Sequence, residues 1–382
     1  MRVLSLFDGM ACGMIAMLKS GIEVDRYVAY EIDKYATKTA THNFLMIEEK
    51  GDVFTADFTE YAGFDWLVGG SPCTYWSIAQ KNGRETEASG MGWELFQQYV
   101  RALHEAKPKY FIYENNKSMS KAIRASIDEA FGFEAVLINS ALVSAQNRQR
   151  LYWVGRRNPD GTYSKVNVEQ PIDRGILLKD VLISGNDLTA NDKSYCMTAT
   201  YDGACAWNTL ERNQRTMVAE PVNPTADGKS QTIKAQYQQN NEDNFIVYAG
   251  GTFGASDGGM GGKTGLYAIP VEFDGDVPIK AVSQADGKTY RVHRVENGII
   301  NIKGKDYPIK LADGYYIIRK LTVRECMRLQ TIPEWYEFPV SDAQAYKQIG
   351  NGWTVQVIVH LIKACLSGKV DETDFGEQIK FF

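Results

Sequence analysis

The chain has 382 residues, 44% hydrophobic and 23% charged, an ordinary globular composition that argues against disorder. No apolar run reaches the ~18 residues a membrane span needs, and the opening Met-Arg-Val-Leu-Ser-Leu-Phe-Asp-Gly sets an acid and a glycine where a signal peptide keeps its apolar run, so a cytoplasmic protein is expected. The net charge of −5, from 42 basic and 47 acidic residues, gives nucleic-acid binding no support from bulk charge but leaves room for a local basic face.

The first 155 residues read as alternating strands and helices. Val3–Phe7 is a short apolar run ending in Asp8-Gly9. Met14–Leu18 suits a helix stopped by Gly21. Tyr27–Tyr30 is the next strand and ends at Glu31. Asp65–Val68 is another and ends at Gly69-Gly70. Trp93, Phe96, Val100 and Leu103 have helical spacing on one face. Tyr110–Tyr113 is an apolar strand ending at Glu114, and Val136–Ile138 and Leu151–Val154 complete the set. Apolar strands separated by helices predict an α/β fold, a doubly wound, mostly parallel sheet covered on both faces. Residues 157–318 are richer in Asn, Gln, Gly and Thr, with short β-like pieces at Phe245–Tyr248 and Tyr290–His293, and predict a smaller, irregular β-rich domain. Helical pattern returns from Arg319, so residues 319–382 are expected to pack back on a first domain of residues 1–156.

The chemistry-bearing residues fall at strand ends, where open α/β sheets bind ligands. Phe7, Asp8, Gly9, Ala11 and Gly13 form a turn between strand and helix that lacks the dinucleotide Gly-x-Gly-x-x-Gly pattern. Glu31 can accept hydrogen bonds from ribose hydroxyls, and Asp52-Val53 can meet an adenine edge. This fingerprint alone also fits a glycine-tolerant turn and a surface glutamate. Pro72 stiffens the loop that carries Cys73, as a nucleophile needs, although a lone loop cysteine is more often simply buried. Glu114 can serve as a proton donor or as a helix-capping acid. Arg148 and Arg150, at i and i+2, point the same way if extended. They could grip a phosphate or a base carbonyl, or form an exposed basic edge. Gly261-Gly262-Lys263-Thr264 mimics the end of a phosphate-binding loop, but Asp257 stands where that pattern needs glycine. The six cysteines and four histidines show no zinc-site spacing, so no metal is expected.

Taken in order, these blocks resemble the DNA cytosine-C5 methyltransferases: Phe7-Asp8-Gly9 through Gly13, Glu31, Asp52-Val53, Gly70-Ser71-Pro72-Cys73, Glu114-Asn115, Gln146-x-Arg148-x-Arg150, Arg319–Gln330 and Gln348-Ile349-Gly350-Asn351. Ser5–Gly9 and Gly352–Val355 look closest to the animal de novo branch, while the compact length looks bacterial or phage-borne. Asn116, Thr74 and Gly352 depart from the usual pattern without removing a catalytic group. The resemblance implies a class I, Rossmann-like methyltransferase fold, with residues 157–318 as the target-recognition domain. It implies S-adenosylmethionine as cofactor, S-adenosylhomocysteine as product, and duplex DNA with a flipped target cytosine as partner. It suggests no membrane and no obligate protein partner, and leaves open a companion restriction endonuclease. Cys73 would be the nucleophile that adds to C6, Glu114 would act at N3, Arg150 would hold the base carbonyl, and Arg148 would orient the catalytic loop or a phosphate. Asn115 would anchor the Pro72-Cys73 loop, and Lys81–Gly92 would close over it as a lid. Phe7, Asp8, Gly9, Ala11, Gly13, Glu31, Ile32, Asp52, Val53, Asn351 and Trp353 would surround the cofactor. An RNA cytosine-C5 methyltransferase would share the fold and the nucleophile, as would a non-catalytic DNA-binding relative. The long middle region favours groove reading of duplex DNA.

Overall fold

The structure, a computed structural model, describes residues 1–77, 83–222, 245–249, 266–270, 273–274 and 277–367. Of Cys73, the strand residues between 245 and 278, and Ser367, it describes the backbone alone. The chain forms two compact units. The first holds Met1–Val181, 192–203 and the chain from Val323 onward, and the second holds Leu182–Asn191 and Ala204–Thr322.

The first unit is built on one eight-stranded sheet. Its elements in chain order are β1 (Arg2–Leu6), α1 (Cys12–Lys19), β2 (Arg26–Tyr30), α2 (Lys34–Asn43), β3 (Ile47–Glu49), β4 (Trp66–Gly69), α3 (Gly90–Ala106), β5 (Tyr110–Asn116), α4 (Lys121–Phe131), β6 (Val136–Asn139), β7 (Gln149–Arg157) and β8 (Tyr163–Lys165). The short helices α5 (Leu178–Val181) and α6 (Ala206–Leu210) follow, α6 in the second unit, before α7 (Val323–Leu329), α8 (Asp342–Asn351) and α9 (Val355–Ser367). The strand order is β3-β2-β1-β4-β5-β7-β6, with β8 beside β7. β3 through β5 are parallel, and β7 runs antiparallel to both β5 and β6. The chain winds outward from β1 to β3 and then crosses back to β4. Its topological switch point therefore lies between β1 and β4, where such sheets bind ligands.

Local chemistry sets the helix ends. Asp33 accepts the Tyr35 amide to start α2, Ser120 accepts the Ile123 amide to start α4, and Gly132 ends α4 at φ 77°. α9, apolar nearly all round, packs on α1 and covers one side of the sheet. An aromatic core of Phe96, Tyr99, Phe111, Tyr113, Phe131 and Trp153 lies under β4 and β5. Tyr99 donates to the carbonyls of both Leu67 and Ile112 and so ties those two strands together.

The first unit reaches past residue 156. β8 extends the sheet by pairing Gly155 with Lys165. Residues 192–203 also belong to this unit, through a parallel bridge between Gln146 and Ser194 and a bond from the Met197 amide to Gln146 Oε1 (2.8 Å). This segment forms no strand or α-helix and has no hydrophobic period, so pattern reading places it in the middle domain.

The second unit carries β9 (Asn186–Asp187), β10 (Met217–Val222), the hairpins β11 (Phe245–Ala249) with β12 (Leu266–Pro270) and β13 (Phe273–Asp274) with β14 (Val277–Pro278), then β15 (Lys280–Val282), β16 (Thr289–Glu296), β17 (Ile299–Ile302), β18 (Lys305–Pro308) and β19 (Gly314–Lys320). Its main sheet is antiparallel, in the order β18-β17-β16-β19-β10-β9 with β15 beside β16. Leu188, Met217, Ala219, Val295, Ile300, Tyr307 and Tyr316 form its core. Arg319, fully buried, donates through Nε to the Glu220 carboxylate and through Nη2 to the Ser184 carbonyl (2.8 Å). Lys81 and Asn82 of the expected lid, and the glycine cluster 250–265 with Gly261–Thr264, lie outside the described residues.

Candidate active site

The carboxyl ends of β1 to β5 bring the predicted residues together. Phe7, Gly9 and Ala11 all have positive φ, at 58°, 61° and 60°. For Phe7 and Ala11 that conformation costs about 1–3 kcal/mol each, and it folds the chain tightly between β1 and α1. Gly9 donates its amide to Glu31 Oε2 (2.9 Å), while Ile32 and Asp33 donate theirs to Oε1. Three backbone donors therefore fix the Glu31 carboxylate. The Ile32 side chain is exposed. Gly13 is buried, and a Cβ there would lie 2.7 Å from the Tyr27 hydroxyl and 3.8 Å from the Trp353 ring, so its glycine lets α1 press against the sheet. Asp52 is exposed and caps the turn Val53–Thr55 through the Phe54 amide (3.0 Å), with Val53 buried beneath.

Asp8 Oδ1 accepts from Ser5 and Tyr27, while its Oδ2 is buried without a partner. Burial pushes this carboxyl up to about 6. Both carboxylate oxygens of Glu49, at the end of β3, are also buried without a partner. Burial, then the charges of Asp8 and Glu31, push Glu49 up to about 8. Three carboxyl groups thus end three adjacent strands. Such an acceptor-rich set of strand ends disfavours a pyrophosphate and suits a ligand that carries hydroxyl groups and positive charge. Glu49 is the residue that motif reading passes over, because Ile47-Glu48-Glu49 is too short and too polar to read as a strand.

At the next junction, Gly70 lets the loop after β4 touch β5, since a Cβ there would fall 2.6 Å from the Glu114 carbonyl. Asn115 Nδ2 donates to the Ser71 carbonyl (3.2 Å), and the buried Ser71 and Tyr113 hydroxyls share a 2.6 Å bond. These contacts fasten the loop to the aromatic core from the residue before Pro72, which is itself exposed. Cys73 opens the turn Cys73–Tyr75, and its side chain lies outside the described residues. Arg150 Nε donates to Glu114 Oε1 (3.0 Å), and Trp353 Nε1 donates to Glu114 Oε2 (3.0 Å). Trp353, expected only around the cofactor, thus reaches from the Gly13 turn to the Glu114 carboxylate. Asn351 ends α8 and is exposed.

Arg148, expected on the catalytic loop or a phosphate, is instead buried and donates to the carbonyls of Met197, Gly350 and Gly352. It fastens the Gly350-Asn351-Gly352 turn, and with it the approach of Trp353. Gln330 adds to this through the carbonyls of Ile349 (2.9 Å) and Gly352 (3.3 Å).

The family model for C-5 cytosine-specific DNA methylases matches residues 1–367. The chain belongs to this family. It is a DNA (cytosine-5-)-methyltransferase with the class I methyltransferase fold. The methylase is 27% identical to the orphan methyltransferase M.SPRI of Bacillus phage SPR, over 95% of this chain and 97% of that one. It is 24% identical to the type II methyltransferase M.FnuDI of Fusobacterium nucleatum, over the whole of this chain and 98% of that one. Among solved structures, the methylase fold matches Schizosaccharomyces pombe Dnmt2 with a TM-score of 0.54 at 15% identity, covering 96% of this chain and 98% of that one. It also matches the Entamoeba histolytica methyltransferase EhMeth with a TM-score of 0.56 at 11% identity, covering 97% and 99%. No helix among the described residues of the methylase is long and apolar enough to cross a membrane.

Proposed function

We propose that this methylase modifies C5 of a cytosine flipped out of duplex DNA at a short recognition sequence, through a covalent bond between Cys73 and C6. The observation that carries the reading is the junction of β4 and β5. There the Cys73 loop is tied to Asn115 while the neighbouring Glu114 is held by Arg150 and Trp353. Stacking hides both faces of a cytosine, so the base must leave the helix at a cost of a few kcal/mol. The Cys73 thiolate then adds to C6, and the C5–C6 π electrons become available at C5. Glu114 shares a proton with N3 as charge enters the ring, and Arg150 holds the base carbonyl. Asn115 keeps the Pro72-Cys73 backbone in place during addition. Once C5 carries the methyl group, it loses its proton to a base, the C5–C6 double bond re-forms, and Cys73 departs as thiolate.

S-adenosylmethionine, when bound, supplies an electrophilic methyl group on a sulfonium. The residues present fit it. Glu31 would hold the ribose hydroxyls, Asp8 and Glu49 offer unpartnered buried oxygens to a cation, and Asp52, Val53, Phe7 and Trp353 would border the remaining surface. Proton linkage gives this fit a test. A carboxyl raised in the folded state lends stability that is fully present below its unfolded value, ~4.3 for Glu, and is lost as pH rises through its folded value. The melting temperature of the ligand-free protein should therefore fall between pH 5 and pH 8.5, and Glu49→Gln should remove a few degrees of that fall. A profile unchanged in Glu49→Gln would overturn the assignment. Calorimetry should show the cationic donor gaining affinity over neutral S-adenosylhomocysteine as pH rises from 6 to 8, since both carboxyls ionise in that range.

The reaction is tested by incubating the protein with S-adenosylmethionine and mixed-sequence duplex DNA, then digesting to nucleosides for mass spectrometry. 5-Methylcytosine is the expected product. Its absence from well-folded protein overturns the reading, and parallel tRNA reactions would show whether RNA is the substrate. Glu114→Gln keeps the shape and loses the exchangeable proton, so kcat should fall about 10²–10⁴-fold. A change confined to KM would remove Glu114 from the chemistry.

A further inference from the structure

One side chain in the Glu114 cluster has no part in that mechanism. Cys196 lies on the segment 192–203, which the Gln146–Met197 and Ala145–Ser194 bonds hold beside the start of β7. Its sulfur stands 3.5 Å from Arg148 Nη1 and 3.9 Å from Arg150 Nη2. Arg150 reaches Glu114 through Nε, the Gln149 carbonyl through Nη1 (2.9 Å) and this sulfur through Nη2. Burial alone would raise the thiol, but the two guanidiniums outweigh it and hold Cys196 below its ordinary range. The Cys196 thiol also donates to the Met197 carbonyl (3.5 Å), which leaves its sulfur lone pairs to accept from the two guanidiniums, and a guanidinium plane is set by the acceptors along its edges.

We propose that Cys196 is a positioning residue, whose sulfur fixes the plane of the Arg150 guanidinium and thereby the face that Arg150 and Glu114 jointly present to the cytosine ring. This rests on the reading of Arg150 and Glu114 as the base-side groups. Cys196 touches neither base nor cofactor and forms no covalent bond. Its influence runs wholly through Arg150, while Arg148 anchors the same sulfur to the Gly350–Gly352 turn.

The full-length protein carries the test. Cys196→Ala should lower kcat about 10–100-fold, the scale of a small misplacement of a reacting group. KM for S-adenosylmethionine should stay within about twofold and the melting temperature should hold, since the backbone ties of the segment remain. Cys196→Ser, which keeps an acceptor, should recover most of the loss. Wild-type kcat in Cys196→Ala overturns the proposal, as does equal loss in both variants. A second measurement needs no turnover. In a Cys73→Ser background, iodoacetamide labelling of the Cys196 peptide is followed against pH by mass spectrometry. The midpoint should lie below the ~8.5 of a free thiol and rise when Arg150→Ala is added. A midpoint indifferent to Arg150 overturns the contact. An inactive wild type with that midpoint shift intact retires the cytosine reading and leaves the Cys196–Arg150 arrangement supported.

Discussion

Cys73→Ser should lower methyl transfer by at least about 10³-fold, the usual consequence of removing a nucleophile, while the loop around it stays in place. The ties of that loop run through Ser71, Asn115 and Tyr113. A serine hydroxyl in the same position is a far weaker nucleophile than a thiolate at neutral pH. A duplex with 5-fluorocytosine at the target position separates addition from turnover. Fluorine at C5 cannot leave as the proton does, so the parent protein should stay covalently attached on a denaturing gel and Cys73→Ser should not. Methylation by Cys73→Ser within tenfold of the parent rate would end the covalent mechanism. A parent protein that methylates DNA but leaves no trapped complex would end it equally.

The second large effect concerns stability. Glu220→Ala should cost about 3–5 kcal/mol, because it removes the carboxylate that Arg319 Nε pairs with in the interior of the second unit. Glu220 accepts from Ser184 (2.6 Å), Ser283 (2.9 Å) and the Gln284 amide (3.0 Å) as well as from Arg319. Burial would raise its carboxyl, but the Ser184 and Arg319 hydrogen bonds outweigh burial and hold it below the usual range. A chain of two units need not unfold in one step, so the loss is best read locally. Amides of β10 and β19 should exchange faster with deuterium in Glu220→Ala, while those of β1 and β4 should not. Unchanged exchange in β10 would show that the pair contributes nothing. Glu220→Gln, which keeps an acceptor without the charge, should fall between the two.

The sequence marks β1, β2, β4 and β5 clearly, because each is apolar and ends at a glycine or an acid. Those same ends carry Asp8, Glu31, Gly70 and Glu114, so half of the site follows from strand reading alone. Cys196 and the segment around it leave no such mark. Isolated long-range bonds hold that segment in the first unit, and neither a helical nor an alternating period records them. For Arg148 the i, i+2 rule gives the direction, since Arg148 and Arg150 both reach the Cys196 sulfur. Its carbonyl partners on Met197, Gly350 and Gly352 lie far along the chain, and no local pattern names them. The bridging role of Trp353 depends on α8 ending beside Gly13, a contact between residues more than 300 positions apart that no local pattern encodes.

The pairing of β10 with β19 sets Val222 opposite Tyr315 and Met217 opposite Lys320. The chain therefore departs and returns at facing rungs of one ladder. β16 pairs with β19 on the side away from β10, so both neighbours of β19 are fixed, and closing a longer connection between Val222 and Lys280 costs only about 0.6 kcal/mol per doubling of length. A lineage could lengthen or shorten that connection while the pairs β10–β19 and β16–β19 stay as they are.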